Sequence, residues 1–407
     1  MIEGSIKKSI IMFSTSILGM ALGFLVSIFN SQILGEESFG EFKFIETAAR
    51  FIVSIVTVGF FISLTRLVAM NKDESKEKKY IALFITIFGL VSIVGMLLYF
   101  IFVFINPYLF ENKLNSSIWK YFFIVAAIIG AIAIQELLKG LHKITTLAII
   151  GVLPLFLYLT CSYLLNKYVP LDIDWVLFLT YGISLIIVLG TFALLKPDFG
   201  YDKSLRTELL LENKTNGQPI YFGSLAGKAT THIAGFSIAY YLDTTQVGFF
   251  MLALTVCGPM LAIPSILGTV FFKHFVNMSS IPSKVYIFSI LGTLCALLIF
   301  YSLIDYAILT FYKEAFLPVA DIAKYTIIGF VFHGYGDLFN RFLGAKGKGV
   351  LLRNAAFWVG AVNILGYTIL VKYFNINGAI LTKVFASFIY LIIMLSYYLK
   401  FIKKQNV

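Results

Sequence analysis

The sequence predicts an all-α integral membrane protein of about twelve transmembrane helices, built as two parallel-repeat six-helix bundles around a central cavity, with both termini cytoplasmic. Three observations predict it. Apolar residues make up 59% of the 407 residues and charged residues only 13%, against roughly 25% charged in a soluble protein. The apolar residues gather into runs long enough to cross a hydrocarbon core of about 30 Å. The basic residues are dense in every second connection between those runs.

The first run, 9–30, follows Lys7 and Lys8 and is too long for the apolar core of a cleaved leader, so it reads as a span. A short turn, Gly35-Glu36-Glu37-Ser38, returns the chain through 44–69. Lys72, Lys76, Lys78 and Lys79 follow, and 80–105 is the third span. Spans at 118–138 and 144–166 flank Lys139 and Lys143, and the sixth is 174–195. The stretch from Pro197 to Gln218 is polar and reads as a linker between halves. Beyond it come 219–242, the turn Asp243-Thr244-Thr245-Gln246, and 247–272. The last four spans are 285–311, 317–340, 351–371 and 378–399, the final pair joined at Asn375-Ile376-Asn377-Gly378. The predicted domains are therefore a bundle over 1–196, a cytoplasmic linker over 197–218 and a second bundle over 219–407.

Basic residues test the topology. Twenty-one lie at the termini and even-numbered connections, against seven in the odd ones. The positive-inside rule then puts both termini in the cytoplasm. The outer connections are too short to hold a catalytic domain, and no Walker-type or dinucleotide fingerprint appears, so the chain does not read as an enzyme. A net charge of +11 would suit nucleic acid only if clustered on a soluble surface; here it is spread between spans, and no nucleic-acid partner is expected. Cys161, Cys257 and Cys295 sit in apolar runs without metal-ligand spacing. They read as buried small hydrophobes, and no cofactor or metal is expected.

Shifting the sequence by 208 residues lays Gly19 on Gly227, Gly40 on Gly248, Phe42 on Phe250 and Met70 on Met278. At an offset of 205, Lys167-Tyr168 falls on Lys372-Tyr373. An even number of spans per half makes such repeats parallel, the plan of a secondary transporter.

Three stretches carry a resemblance. They are Gln32 through Leu34-Gly35 to Phe39-Gly40-Glu41-Phe42, then Ser63-Leu64-Thr65-Arg66, then Gly344-Ala345-Lys346-Gly347-Lys348 through Asn363 to Tyr373-Phe374-Asn375-Ile376-Asn377-Gly378-Ala379. In order and spacing these resemble Wzx-type polysaccharide flippases, the polysaccharide-transport branch of the multidrug/oligosaccharidyl-lipid/polysaccharide (MOP) exporter superfamily. Asn377 and Ile380 depart from the family's usual residues. The resemblance implies a flippase moving undecaprenyl-pyrophosphate-linked oligosaccharide, for O-antigen, capsule or a related surface polysaccharide, across a bacterial inner membrane. Its implied partners are the lipid-linked oligosaccharide, membrane lipids, and the polysaccharide polymerase and chain-length machinery. A multidrug or other small-molecule exporter of the same superfamily is the alternative. Such an exporter wants buried carboxylates, and spans one, three and five contain none.

A polar, anionic headgroup needs a cationic path, and a charge at mid-bilayer costs roughly 2.5–3.5 kcal/mol unless it faces a cavity or a partner. Lys228 lies about 12 Å into the seventh span, with His232 one turn on. Arg50 lies in the second span with Glu46 at pairing distance one turn away. Lys228, Arg50 and His232 are the candidate substrate-binding residues, and Asp305 is the candidate for a coupling ion. Arg66 reads as an interfacial anchor, and Asp337–Arg341 and Glu136–Lys139 read as structural pairs.

Overall fold

The computed structural model describes residues 2–71, 73–110, 116–200 and 202–405, excluding the side chains of 2–13, 116–118, 226, 228, 229, 273 and 404–405. Every regular element among the described residues is helical. The chain divides into two compact units, Met1–Leu225 and Ala226–Val407.

In the first unit, α1 (Ile2–Val56) is broken at Gly35, whose φ of 70° and ψ of −177° fall in a region that is essentially glycine's own. The break separates the first two predicted spans. The second span was expected to be one helix over 44–69, but it is interrupted. Val58 (φ 40°) and Gly59 (φ 78°) turn the chain before α2 (Phe60–Met70) resumes it. The reason lies far away in sequence: the Gly217 backbone seats against Gly59, where a Cβ would come within 2.5 Å of it.

The helices α3 (Glu74–Phe110), α4 (Phe123–Gly140), α5 (Ile144–Leu165) and α6 (Ile173–Leu194) complete the bundle. Ile124, Val125, Ala127, Ile129, Ala133 and Ile134 of α4 are fully buried, which makes α4 the unit's core. Its small residues permit the close approach on which helix packing in a membrane relies. The polar connecting stretch contains α7 (Lys203–Glu212), capped by the Asp202 side chain. Glu212 pairs with Arg66 at 2.8 Å, and Tyr80 donates to Glu208 at 2.8 Å, tying α7 to α2 and α3. Arg66 is thus a tether for the connector. Glu136 and Lys139 pair at 2.6 Å.

The second unit is formed by α8 (Gln218–Tyr241, which begins in the first unit), α9 (Thr244–Val270), the short α10 (Phe272–Phe275), α11 (Ser283–Tyr312), α12 (Leu317–Ala345) and α13 (Gly349–Gln405). The helix α12 lies between α9 and α13, and a Cβ on its Gly336 would come within 2.5 Å of the Tyr390 ring. Asn375 (φ 55°, ψ −138°) breaks α13. Gly366 lies against Thr382, and Gly378 against the Leu370 carbonyl. Both pairs straddle residue 374, so the two segments form an antiparallel hairpin.

Nine described helices are long and apolar enough to cross a membrane. Two of these, at Ser14–Val56 and Gly349–Lys403, are divided at Gly35 and Asn375 and hold two spans each. With α8, whose Lys228, Thr230, Thr231 and His232 make it less apolar, the twelve expected spans are accounted for. Large apolar side chains such as Phe104, Ile186 and Leu298 stand more than 70% exposed, as a hydrocarbon-facing surface requires. The cysteine reading needs correction. Cys257 is buried, but Cys161 and Cys295 are exposed, because lipid receives a small apolar side chain as readily as a core does.

Candidate functional site

Helices α8, α9, α12 and α13 enclose a cavity of about 320 Å³ inside the second unit. Each contributes one stripe at helical spacing. From the second segment of α13 come Lys383, Ala386, Ser387 and Tyr390; from α12, His333 and Asn340; from the first segment of α13, Asn363 and Tyr367; from α8, Gly227 and Thr231.

Lys383 lies eight residues past the Asn375 break, about 12 Å along its helix. Its ammonium sits 4.6 Å from the centroid of the Phe330 ring. Among the described residues no carboxylate pairs with it. An intramembrane cation in that position is normally solvated by a cavity. The polar wall beside it is internally ordered. His333 stacks on Tyr390 with ring centroids 4.6 Å apart. The Tyr390 hydroxyl donates to Asp337 at 3.1 Å and accepts from the Asn340 amide at 2.9 Å, while Ser265 donates to Asp337 at 3.4 Å. Asp337 makes no direct salt bridge with Arg341, contrary to the sequence expectation, although the guanidinium stays near enough to act on it electrostatically; the Arg341 stem lies against Gly268 of α9. The chemical result is a polar pocket lined by Lys383, with the neighbouring Asp337 carboxylate already held by hydroxyl groups.

Sequence reasoning passed over Lys383. The signal was available: no acidic residue stands at 379, 380, 386 or 387 to pair with it along the helix.

Of the predicted residues, Arg50 and Asp305 fall elsewhere. Arg50 pairs with Glu46 at 2.7 Å, and Lys43 pairs with the same carboxylate at 3.0 Å. Two cations on one anion leave this cluster of the first unit with a net positive charge. Arg50 keeps 47% of its side chain exposed. His232 is half-buried on α8, next to the cavity-lining Thr231. Lys228 follows Gly227 on the same helix, and its side chain lies outside the described residues. Asp305 of α11 pairs with Lys324 at 2.7 Å, and Lys324 also holds Asp321 at 3.3 Å. Asp305 does not line the cavity. Among the described residues no group of three His, Cys, Asp or Glu side chains is placed to hold a metal ion.

Residues 5–272 match the family described as polysaccharide biosynthesis protein. The chain belongs to that family. This polysaccharide biosynthesis protein is similar in fold to a lipid II flippase, MurJ, in an inward closed conformation, with a TM-score of 0.74 at 15% identity over 98% of this chain and 89% of that one. It is also similar to an inward-facing multidrug resistance MATE-family transporter of the MOP superfamily, with a TM-score of 0.69 at 13% identity over 98% of both chains. A MOP-superfamily transporter from Pyrococcus furiosus, described by the reverse polarity of its binding pocket, gives a TM-score of 0.57 at 14% identity over 98% of this chain and 96% of that one. No curated protein sequence matches the family member described here. At these identities the likeness establishes the fold: a multi-pass membrane protein with the architecture of MOP-superfamily transporters.

Proposed function

We propose that this protein is a flippase, not an enzyme, that carries an undecaprenyl-pyrophosphate-linked oligosaccharide from the cytoplasmic to the periplasmic leaflet of a bacterial inner membrane, in the making of a surface polysaccharide such as O-antigen or capsule. The observation that carries the reading is Lys383, a cation inside a spanning helix with no acidic partner among the described residues, lining a polar cavity. A diphosphate in a passage of low dielectric is attracted to such a charge over several ångströms. The amide, hydroxyl and aromatic groups of Asn340, Asn363, Tyr390 and Tyr367 suit sugar hydroxyls and ring faces. The family supports a substrate of polysaccharide synthesis, and the lipid II flippase among its structural neighbours supports a lipid-linked one.

An exporter of cationic drugs would need an available carboxylate in the cavity; among the described lining residues there is none, and the neighbouring Asp337 is engaged by Tyr390 and Ser265. We further assign Lys228, Arg50 and His232 to the headgroup path and keep Asp305 as the coupling-ion candidate. The polymerase and chain-length machinery are the partners that would receive the product. The test is expression in a flippase-null strain whose lipid-linked oligosaccharide accumulates in the inner leaflet. Restored surface polysaccharide supports the reading. Unchanged accumulation at normal membrane level of the protein, with drug efflux gained instead, would overturn it.

A further inference from the structure

A second cavity, of about 280 Å³, lies in the first unit between α3 and the start of the connector. One wall is a single stripe of α3: Ala82, Leu83, Thr86, Ile87 and Leu90. The Thr86 hydroxyl is turned onto the Ala82 carbonyl at 2.9 Å, so the wall is apolar along its length. It runs about 12 Å along the helix axis, near the roughly 15 Å that one leaflet contributes to the hydrocarbon core. Leu90 is 56% exposed, and Phe199, on the connector side, is 64% exposed, so the groove opens to the surface.

At the N-terminal end of that stripe, in a connection that the positive-inside rule places in the cytoplasm, four charged side chains line the groove. Asp202 is occupied: it caps α7 through the Ser204 amide at 3.0 Å and pairs with Lys79 at 3.4 Å. Arg206 is exposed and has no ion-pair partner among the described residues. Asp198 is fixed by its backbone, whose amide donates to the Lys78 carbonyl at 3.1 Å. One of its carboxylate oxygens accepts from the Gly200 amide at 3.0 Å, and the other has no hydrogen bond among the described residues. The groove thus offers one uncommitted guanidinium and one uncommitted carboxylate oxygen, beside an apolar wall about one leaflet deep.

We propose that this groove binds a zwitterionic phospholipid with a primary ammonium, a phosphoethanolamine headgroup. Its phosphate rests on Arg206, its ammonium donates to Asp198, and one acyl chain lies along the α3 stripe. A phosphoglycerol head would set a neutral glycerol against Asp198 and leave that carboxylate without a counter-charge, and a trimethylammonium head has no N–H to give it. The proposal is independent of the transported substrate.

Native mass spectrometry of the full-length protein in detergent tests it, with phosphatidylethanolamine, phosphatidylglycerol or phosphatidylcholine added at equal concentration. The ethanolamine lipid should form adducts about five-fold more readily than either of the others, the size expected for one charge contact near a membrane surface. Asp198→Asn should abolish that preference and raise the phosphatidylglycerol adduct. Arg206→Ala should lower the ethanolamine-lipid adduct, and Arg206→Lys should restore part of it. Both positions are exposed, and unchanged thermal unfolding of each variant controls for folding. Equal binding of the three lipids, a preference for phosphatidylglycerol, or a preference that survives Asp198→Asn would overturn the proposal. Competition by soluble glycerophosphoethanolamine at the same concentration would overturn the acyl-chain contact.

Discussion

The Tyr221 hydroxyl lies 2.6 Å from the carbonyl oxygen of Ile55 and 3.0 Å from that of Ser54, where the second span is broken. A helix interrupted within a membrane strands carbonyls that lipid cannot solvate. Tyr221, 5% exposed, supplies the missing donor from the start of α8. Tyr221→Phe removes only that hydroxyl. It should lower the stability of the purified protein by roughly 1–3 kcal/mol, the cost of an unsatisfied buried acceptor. Thermal unfolding in detergent measures it; an unchanged melting temperature would mean that water reaches the break.

The hairpin in α13 rests on two residues with opposite demands. Asn375 holds a positive φ that strains any residue with a Cβ, so Asn375→Gly should stabilise the protein by about 1 kcal/mol. Gly378 faces the Leu370 carbonyl with no room for a Cβ. Gly378→Ala should therefore push the two segments apart and sharply reduce the amount of folded protein recovered from membranes. Thermal unfolding and membrane yield of the two variants check the opposite signs.

The spans were legible because a run of apolar residues is a local signal and the bilayer fixes its length. The Glu46–Arg50 pair was legible too, since i,i+4 spacing places both side chains on one face. The break at Val58-Gly59 was not. Its cause is the close approach of Gly217, and a left-handed glycine inside an apolar run looks like any other small residue until its distant neighbour is known. Asp337 and Arg341 had pairing spacing, but Tyr390 and Ser265 reached the carboxylate first, from α13 and α9. Spacing reports which groups are near along one helix and is silent about competitors from others. Lys383 was visible as an in-span charge, yet the cavity that explains it exists only once four helices have assembled.

Glu46 holds Lys43 and Arg50 together, so the two ends of this cluster should respond unequally. Arg50→Ala leaves the Lys43–Glu46 pair intact, and the protein should insert at near-normal level. Glu46→Ala leaves two cations facing each other within a span without their counter-ion, which costs more than losing one cation. Its membrane level should fall several-fold below that of Arg50→Ala, and adding Arg50→Ala to Glu46→Ala should recover part of it. Quantitative immunoblotting of membranes decides the order. Equal levels for the two single variants would show that solvent, not Glu46, neutralises these cations.

Lys383 gives the sharpest test of the proposed anionic substrate. A unit charge about 5 Å from a phosphate is worth about 3 kcal/mol at an effective dielectric near 20. Lys383→Ala should therefore reduce transport by roughly a hundred-fold while the protein still inserts, because the substitution removes a charge from a spanning helix. Lys383→Arg keeps the charge in a larger planar group and should retain part of the activity. Lys383→Glu replaces attraction with repulsion and should fall below Lys383→Ala. The measurement is surface polysaccharide restored in a flippase-null strain, normalised to membrane level. Wild-type restoration by Lys383→Glu at normal level would remove the cation from the headgroup path and leave Lys383 a packing partner of Phe330.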